Sequence, residues 1–110
     1  MEGRDKFRIK HMIEATKECL TFVEEVKQED FYLNRQMILA VIKEIEIIGE
    51  AASRISDETK SKYSLIPWKD IIDTRHRLVH GYFDINLDIV WRTLREDLPQ
   101  LLLELEKISF

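Results

Sequence analysis

The sequence predicts an all-α fold: an antiparallel up-and-down bundle of four to five helices, assembled as a dimer. Three observations carry this reading. Only three Gly and two Pro occur in 110 residues, so the residues that break helices are scarce. Apolar side chains recur three and four positions apart over long stretches, which is the period of one helix face. The segments between those stretches are short and polar, as in bundles whose neighbouring helices run antiparallel. At this length residues 1–110 form a single domain with one modest core. A hydrophobic content of 45% with 35% charged residues excludes a disordered chain.

The first helix is predicted over Asp5–Val26. Met12, Thr16, Cys19, Val23 and Val26 form its stripe, which Ile9, Ile13, Leu20 and Phe22 widen. Glu14, Glu18, Glu24 and Glu25 read as a solvated face. His11 has no second His or Cys near it and reads as a surface or interface residue. Cys19 is the only cysteine, so no intrachain disulfide forms, and its stripe position makes it a buried structural thiol. Lys27–Asn34 reads as a polar turn with Phe31 and Tyr32 embedded in it.

The second helix is predicted over Asn34–Ile55, on the stripe Ile38, Val41, Ile45, Ile48, Ala52 and Ile55. Met37, Ala40, Ile42, Ile47 and Ala51 extend its apolar surface round much of the girth. Such a helix is either central or part of a subunit interface. Gly49 inside it costs about 1 kcal/mol against Ala, which the close approach of a neighbouring helix explains.

Residues 56–64 form a polar connection with room for one helical turn started by Ser56 or Asp57. The third helix runs from Leu65 to His80, with Pro67 in its first turn and Gly81 in the position after its end that favours a left-handed backbone. Asn86 or Asp84 caps the last helix, whose stripe is Leu87, Val90, Trp91, Leu94, Leu98, Leu101, Leu105 and Ile108. Pro99 predicts a kink near Arg95–Leu98.

The net charge of −4 argues against indiscriminate coating of DNA, although the field at one site is set locally. The charged N-terminus has no apolar segment behind it, so neither a signal peptide nor a membrane contact is expected. A cytoplasmic setting is.

One stretch departs from the pattern. Stepped as a helix, Trp68, Ile71, Ile72, Arg75, Leu78, Val79 and Tyr82 share a stripe, and Arg75 stands where an aliphatic residue belongs. A guanidinium there needs a buried carboxylate, for which Glu46 and Glu50 are candidates, or a wet cleft. No phosphate-cradling glycine loop, Cys/His metal spacing or Ser-His-Asp pattern is present. What remains is Arg75, then His80, then Tyr82. Arginine suits a phosphate and the charge that develops on it, and histidine suits proton transfer near neutral pH. In RNA the neighbouring 2′-hydroxyl is a nucleophile already in place. An ideal helix puts His80 about 140° from Arg75, so the pair meets only if the helix unwinds or a second protomer supplies one member.

Ile66-Pro67-Trp68, Arg75 with His80-Gly81-Tyr82-Phe83, Ile89-Val90-Trp91 and Asp97-Leu98-Pro99, with Ile48-Gly49-Glu50-Ala51-Ala52 upstream, resemble the HepT-like toxins of the HEPN superfamily. The resemblance covers nearly the whole chain. It implies a helical homodimer and a metal-independent endoribonuclease toxin, with Arg75 and His80 catalytic in a cleft between protomers. It also implies an MntA-like minimal nucleotidyltransferase antitoxin that silences the toxin by adenylylating Tyr82. His76 stands where the family commonly has Asn; with Arg77 and Glu50 it is a candidate supporting residue. The competing reading is a non-catalytic HEPN helical dimer that binds a nucleotidyltransferase partner or a nucleotide. A third is purely structural, with Arg75 paired inside the fold.

Overall fold

A charged first turn commits the chain to helix at once. In the computed structural model, which describes residues 1–80 and 84–110 apart from the side chains of Arg75, Val79 and His80, helix α1 spans Gly3–Phe22. The Glu2 carboxylate caps it by accepting from the Arg4 N–H. Helices α2 (Gln28–Leu33), α3 (Arg35–Ser53), α4 (Asp57–Lys62) and α5 (Trp68–Leu78) follow. Strand β1 (Val79–His80) then pairs antiparallel with β2 (Asp84–Ile85), Val79 opposite Ile85 and His80 opposite Asp84. The described chain closes with α6 (Leu87–Arg92), a π turn (Thr93–Asp97) and α7 (Leu98–Glu106). Among the described residues no helix is long and apolar enough to cross a membrane.

Helix α3 is the central one. It packs against both α1 and α5, and α7 lies on α1. Ile9, Met12, Cys19 and Val23 meet Val41, Ile45 and Ile48 in the core, with Leu94, Leu101 and Leu105 completing it. Burying each such aliphatic side chain contributes roughly 1.5–3 kcal/mol. Thr16, inside the α1 stripe, satisfies its hydroxyl by donating to Met12 O at 2.7 Å. Burial pushes the Cys19 thiol up to about 12, with the Glu44 and Glu18 charges adding to it. That thiol is structural.

Gly49 explains how α5 docks. A Cβ at Gly49 would meet Ile71 O at 3.2 Å and Ile72 O at 3.9 Å, so the two helices approach backbone to backbone. Polar clamps hold the ends. Asp5 is fully buried and accepts hydrogen bonds from Ser56 N at 3.1 Å and from the Ser56 and Thr59 hydroxyls at 2.5 and 2.6 Å. Burial raises its pKa, but these bonds and the Arg8 charge outweigh that and hold it below the ordinary value. Arg95 donates to Val23 O and Val26 O at 3.1 and 2.5 Å, closing an α1 terminus that has no basic residue in its last turn. Its guanidinium lies 4.3 Å from the Trp91 ring centroid.

Several expected boundaries move. α1 stops at Phe22 rather than Val26, and Glu25 takes a left-handed φ of 60° as the chain turns back. The expected polar turn over 27–34 is mostly α2, because Phe31 is fully buried with its ring 5.3 Å from Trp91. The Tyr32 hydroxyl reinforces this by bonding to Asp88. Ser56 starts α4, with its hydroxyl accepting from Thr59 N at 3.3 Å. Pro67 stands just before α5 rather than inside it. At the expected kink near Pro99 the helix makes a π turn, in which Leu98 N–H reaches back five residues to Thr93 O. The wider turn makes room for a proline ring that would crowd the Arg95 carbonyl. Seven α-helices thus stand among the described residues, because short helices fill the expected connections.

Glu44 is buried between the two apolar sets of α3, and its Oε2 has no hydrogen-bond partner among the described residues. Burial, and then the hydrogen bond and charge of Glu18, raise its pKa from 4.5 to about 7. Folded protein therefore binds more protons here than unfolded protein between those values, so stability falls as pH rises through that window. Thermal unfolding of Glu44→Gln will show a gain over wild type at pH 8 that shrinks towards pH 4. Gly49→Ala pushes a methyl onto a backbone carbonyl that cannot yield alone; a loss of about 1–3 kcal/mol is expected in urea unfolding.

Candidate functional site

Of the residues singled out in sequence, Arg75, His76 and Arg77 are on α5, His80 is on β1 and Glu50 is on α3. The Gly49 contact acts on the turn that ends in Arg75, since Ile71 O and Ile72 O accept from the amides of Arg75 and His76 in an α-helix. The backbone of the arginine is therefore placed by a close backbone contact between α3 and α5. The side chains of Arg75 and His80, and the whole of Tyr82, lie outside the described residues.

His80 is no longer helical. The predicted third helix ends two residues earlier, at Leu78, and His80 belongs to β1. Leu78 O accepts from Asn86 N at 2.7 Å, which closes the base of the crossing, and the Asn86 side chain caps α6 through Ile89 N at 3.2 Å. The angle of about 140° between Arg75 and His80 on an ideal helix does not apply to a residue that has left it. The predicted helix-end role of Gly81 lies outside the described residues.

The three supporting candidates part company. His76 is exposed on α5. Arg77 is about 200° from Arg75 around the helix, on the opposite side. It folds back to donate to Thr74 Oγ1 at 3.0 Å and Asp70 O at 3.3 Å. There it borders a groove of about 690 Å³ between α5 and the π turn with α7. Ile48, Ile71 and Leu101 are among its apolar lining, and Asp70, Glu96, Asp97 and Glu104 outnumber Arg77 and Arg92 on it. Burial, then the neighbouring Glu96 charge, raise the pKa of Asp97 despite Arg77. Glu50 is on α3, where its Oε1 pairs with Arg54 Nη2 at 2.8 Å. Sequence reasoning missed the acidic groove, because Asp70 meets Glu96, Asp97 and Glu104 only through the packing of α5 beside the last helices.

With this arrangement in view, the pattern of the ribonuclease HepT-like family matches residues 12–108. The chain belongs to the HepT-like ribonuclease family. The match spans α5, β1 and β2. Among relatives, the chain is 33% identical over 108 residues to "Probable ribonuclease HepT" of Thermococcus cleftensis, covering 98% of each chain. It is 32% identical over 107 residues to "Putative RNase MJ1380" of Methanocaldococcus jannaschii, covering 96% of this chain and 98% of that one. It is 36% identical over 94 residues to "Putative RNase TTE0752" of Caldanaerobacter subterraneus, covering 83% and 84%. No solved structure gives a significant match. HepT-like proteins are a family of ribonucleases, so the family makes this chain an enzyme of RNA cleavage.

Proposed function

We propose that the chain is a metal-independent endoribonuclease toxin, with Arg75 and His80 catalytic. The observation that carries this is the HepT-like match running through the Arg75–Tyr82 segment. The end of α5 at Leu78 supports it, because it removes the helical-wheel objection to Arg75 and His80 acting together. In the proposed reaction the 2′-hydroxyl of one nucleotide attacks the adjacent phosphorus and the bond to the 5′-oxygen breaks. The products are a 2′,3′-cyclic phosphate and a 5′-hydroxyl. His80 moves the proton, and Arg75 holds the phosphate and stabilises the charge gathering on its oxygens. Two protomers form the cleft.

Silencing follows from the same chemistry. An MntA-like nucleotidyltransferase transfers AMP to Tyr82, adding bulk and negative charge beside a cleft meant for RNA phosphate. In a cell this makes a toxin with its antitoxin.

Purified protein is expected to cleave RNA in EDTA. His80→Ala should lose about 100-fold or more in rate while melting like wild type; undiminished cleavage would remove His80 from the mechanism. Intact-mass analysis of protein co-expressed with the nucleotidyltransferase should show a gain in whole AMP units, mapped to Tyr82 and absent from Tyr82→Phe. A gain that survives in Tyr82→Phe moves the modification elsewhere.

A further inference from the structure

Helices α1 and α3 enclose a second groove, of about 590 Å³. Four cations, Arg4, Arg8, Lys43 and Arg54, line it against two carboxylates, Glu46 and Glu50. Four minus two leaves a local charge of +2 on a chain whose net charge is −4. Arg8 Nη1 donates to Arg54 O at 2.7 Å, and Arg54 neutralises Glu50. Arg4 and Lys43 make no ion pair among the described residues. On the same groove Phe7 is 60% exposed, its ring centroid 4.2 Å from that of the exposed His11. A large apolar ring held in water beside unpaired cations has no part in the core.

We propose that this groove binds single-stranded RNA, with Phe7 stacking on a base while Arg4 and Lys43 hold phosphates on either side. Aromatic platforms beside cations are how proteins hold single strands without reading sequence. The groove beside α5 and α7 carries four carboxylates against two arginines and repels the same polyanion, so a bound strand is steered towards α1 and α3. The proposal rests on the ribonuclease reading and adds where the strand runs.

The test is fluorescence anisotropy with a labelled 2′-O-methyl oligoribonucleotide, which binds but lacks the attacking hydroxyl, titrated at several salt concentrations. Phe7→Ala is expected to weaken binding about five-fold or more. The double variant Arg4→Gln/Lys43→Gln should lower the slope of log affinity against log salt by about 1.4. Circular dichroism confirms that each variant is folded, and both sites are on the surface. Wild-type affinity and slope in both variants, from a protein that cleaves RNA, would overturn the groove and leave the ribonuclease reading standing. Wild-type protein that neither binds nor cleaves RNA would overturn both. A shift of Phe7→Ala from dimer to monomer in light scattering, with RNA affinity unchanged, would assign the face to a second copy and overturn the proposal.

Discussion

The approach of α3 to α5 at Gly49 is the constraint on which the rest depends. With only 3.2 Å between the site of a Cβ and Ile71 O, no side chain larger than hydrogen fits without moving a helix. Helices in contact at backbone distance have little freedom to slide, since a carbonyl cannot change rotamer as a leucine can. The arginine turn of α5 inherits that rigidity. A guanidinium that has to meet a phosphate is useful only when its backbone is held firmly, and the Gly49 contact holds the turn that leads to Arg75.

Around that contact the chain trades apolar burial against polar fastening. Asp5 joins the start of α1 to the start of α4, and Arg95 joins the π turn to the end of α1. Both span long sequence separations and satisfy backbone groups that helix ends leave open. Glu44 opposes them, as a carboxyl placed in the α1–α3 seam with one oxygen unsatisfied. Its presence in a seam built of Ile and Val makes the middle of the bundle lose stability as pH rises, whereas the Asp5 clamp at the end loses it as pH falls.

Much of this was legible from periodicity. Val41, Ile45, Ile48 and Ala52 on α3, and Val90, Leu94, Leu98, Leu101 and Leu105 on the last helices, are buried as their spacing requires. Gly49 was readable because glycine inside a strong helix calls for a neighbour. What escaped depended on pairings that no local pattern encodes. Phe31 looked like a turn residue until Trp91, sixty positions away, gave it a core to enter. α5 ended early because Val79 and His80 found partners in Ile85 and Asp84. Pro99 was rightly seen as a problem for helix, and the local remedy is one wider turn, which no hydrophobic period announces. At the site, Arg75 stood out as a charge in an apolar stripe. Arg77 was grouped with it by proximity in sequence, although two helical steps carry it to the other side.

The Leu78–Asn86 hydrogen bond has a thermodynamic meaning of its own. It ties off the chain at the neck of the crossing, so the ends are fixed whatever lies between them. For a segment tied in this way the entropy of closure grows only with the logarithm of its length, about 0.6 kcal/mol for each doubling. Extra residues between them draw on that shallow term and not on the packing of α3 and α5. The length of chain between Leu78 and Asn86 is therefore a quantity the bundle itself does not fix.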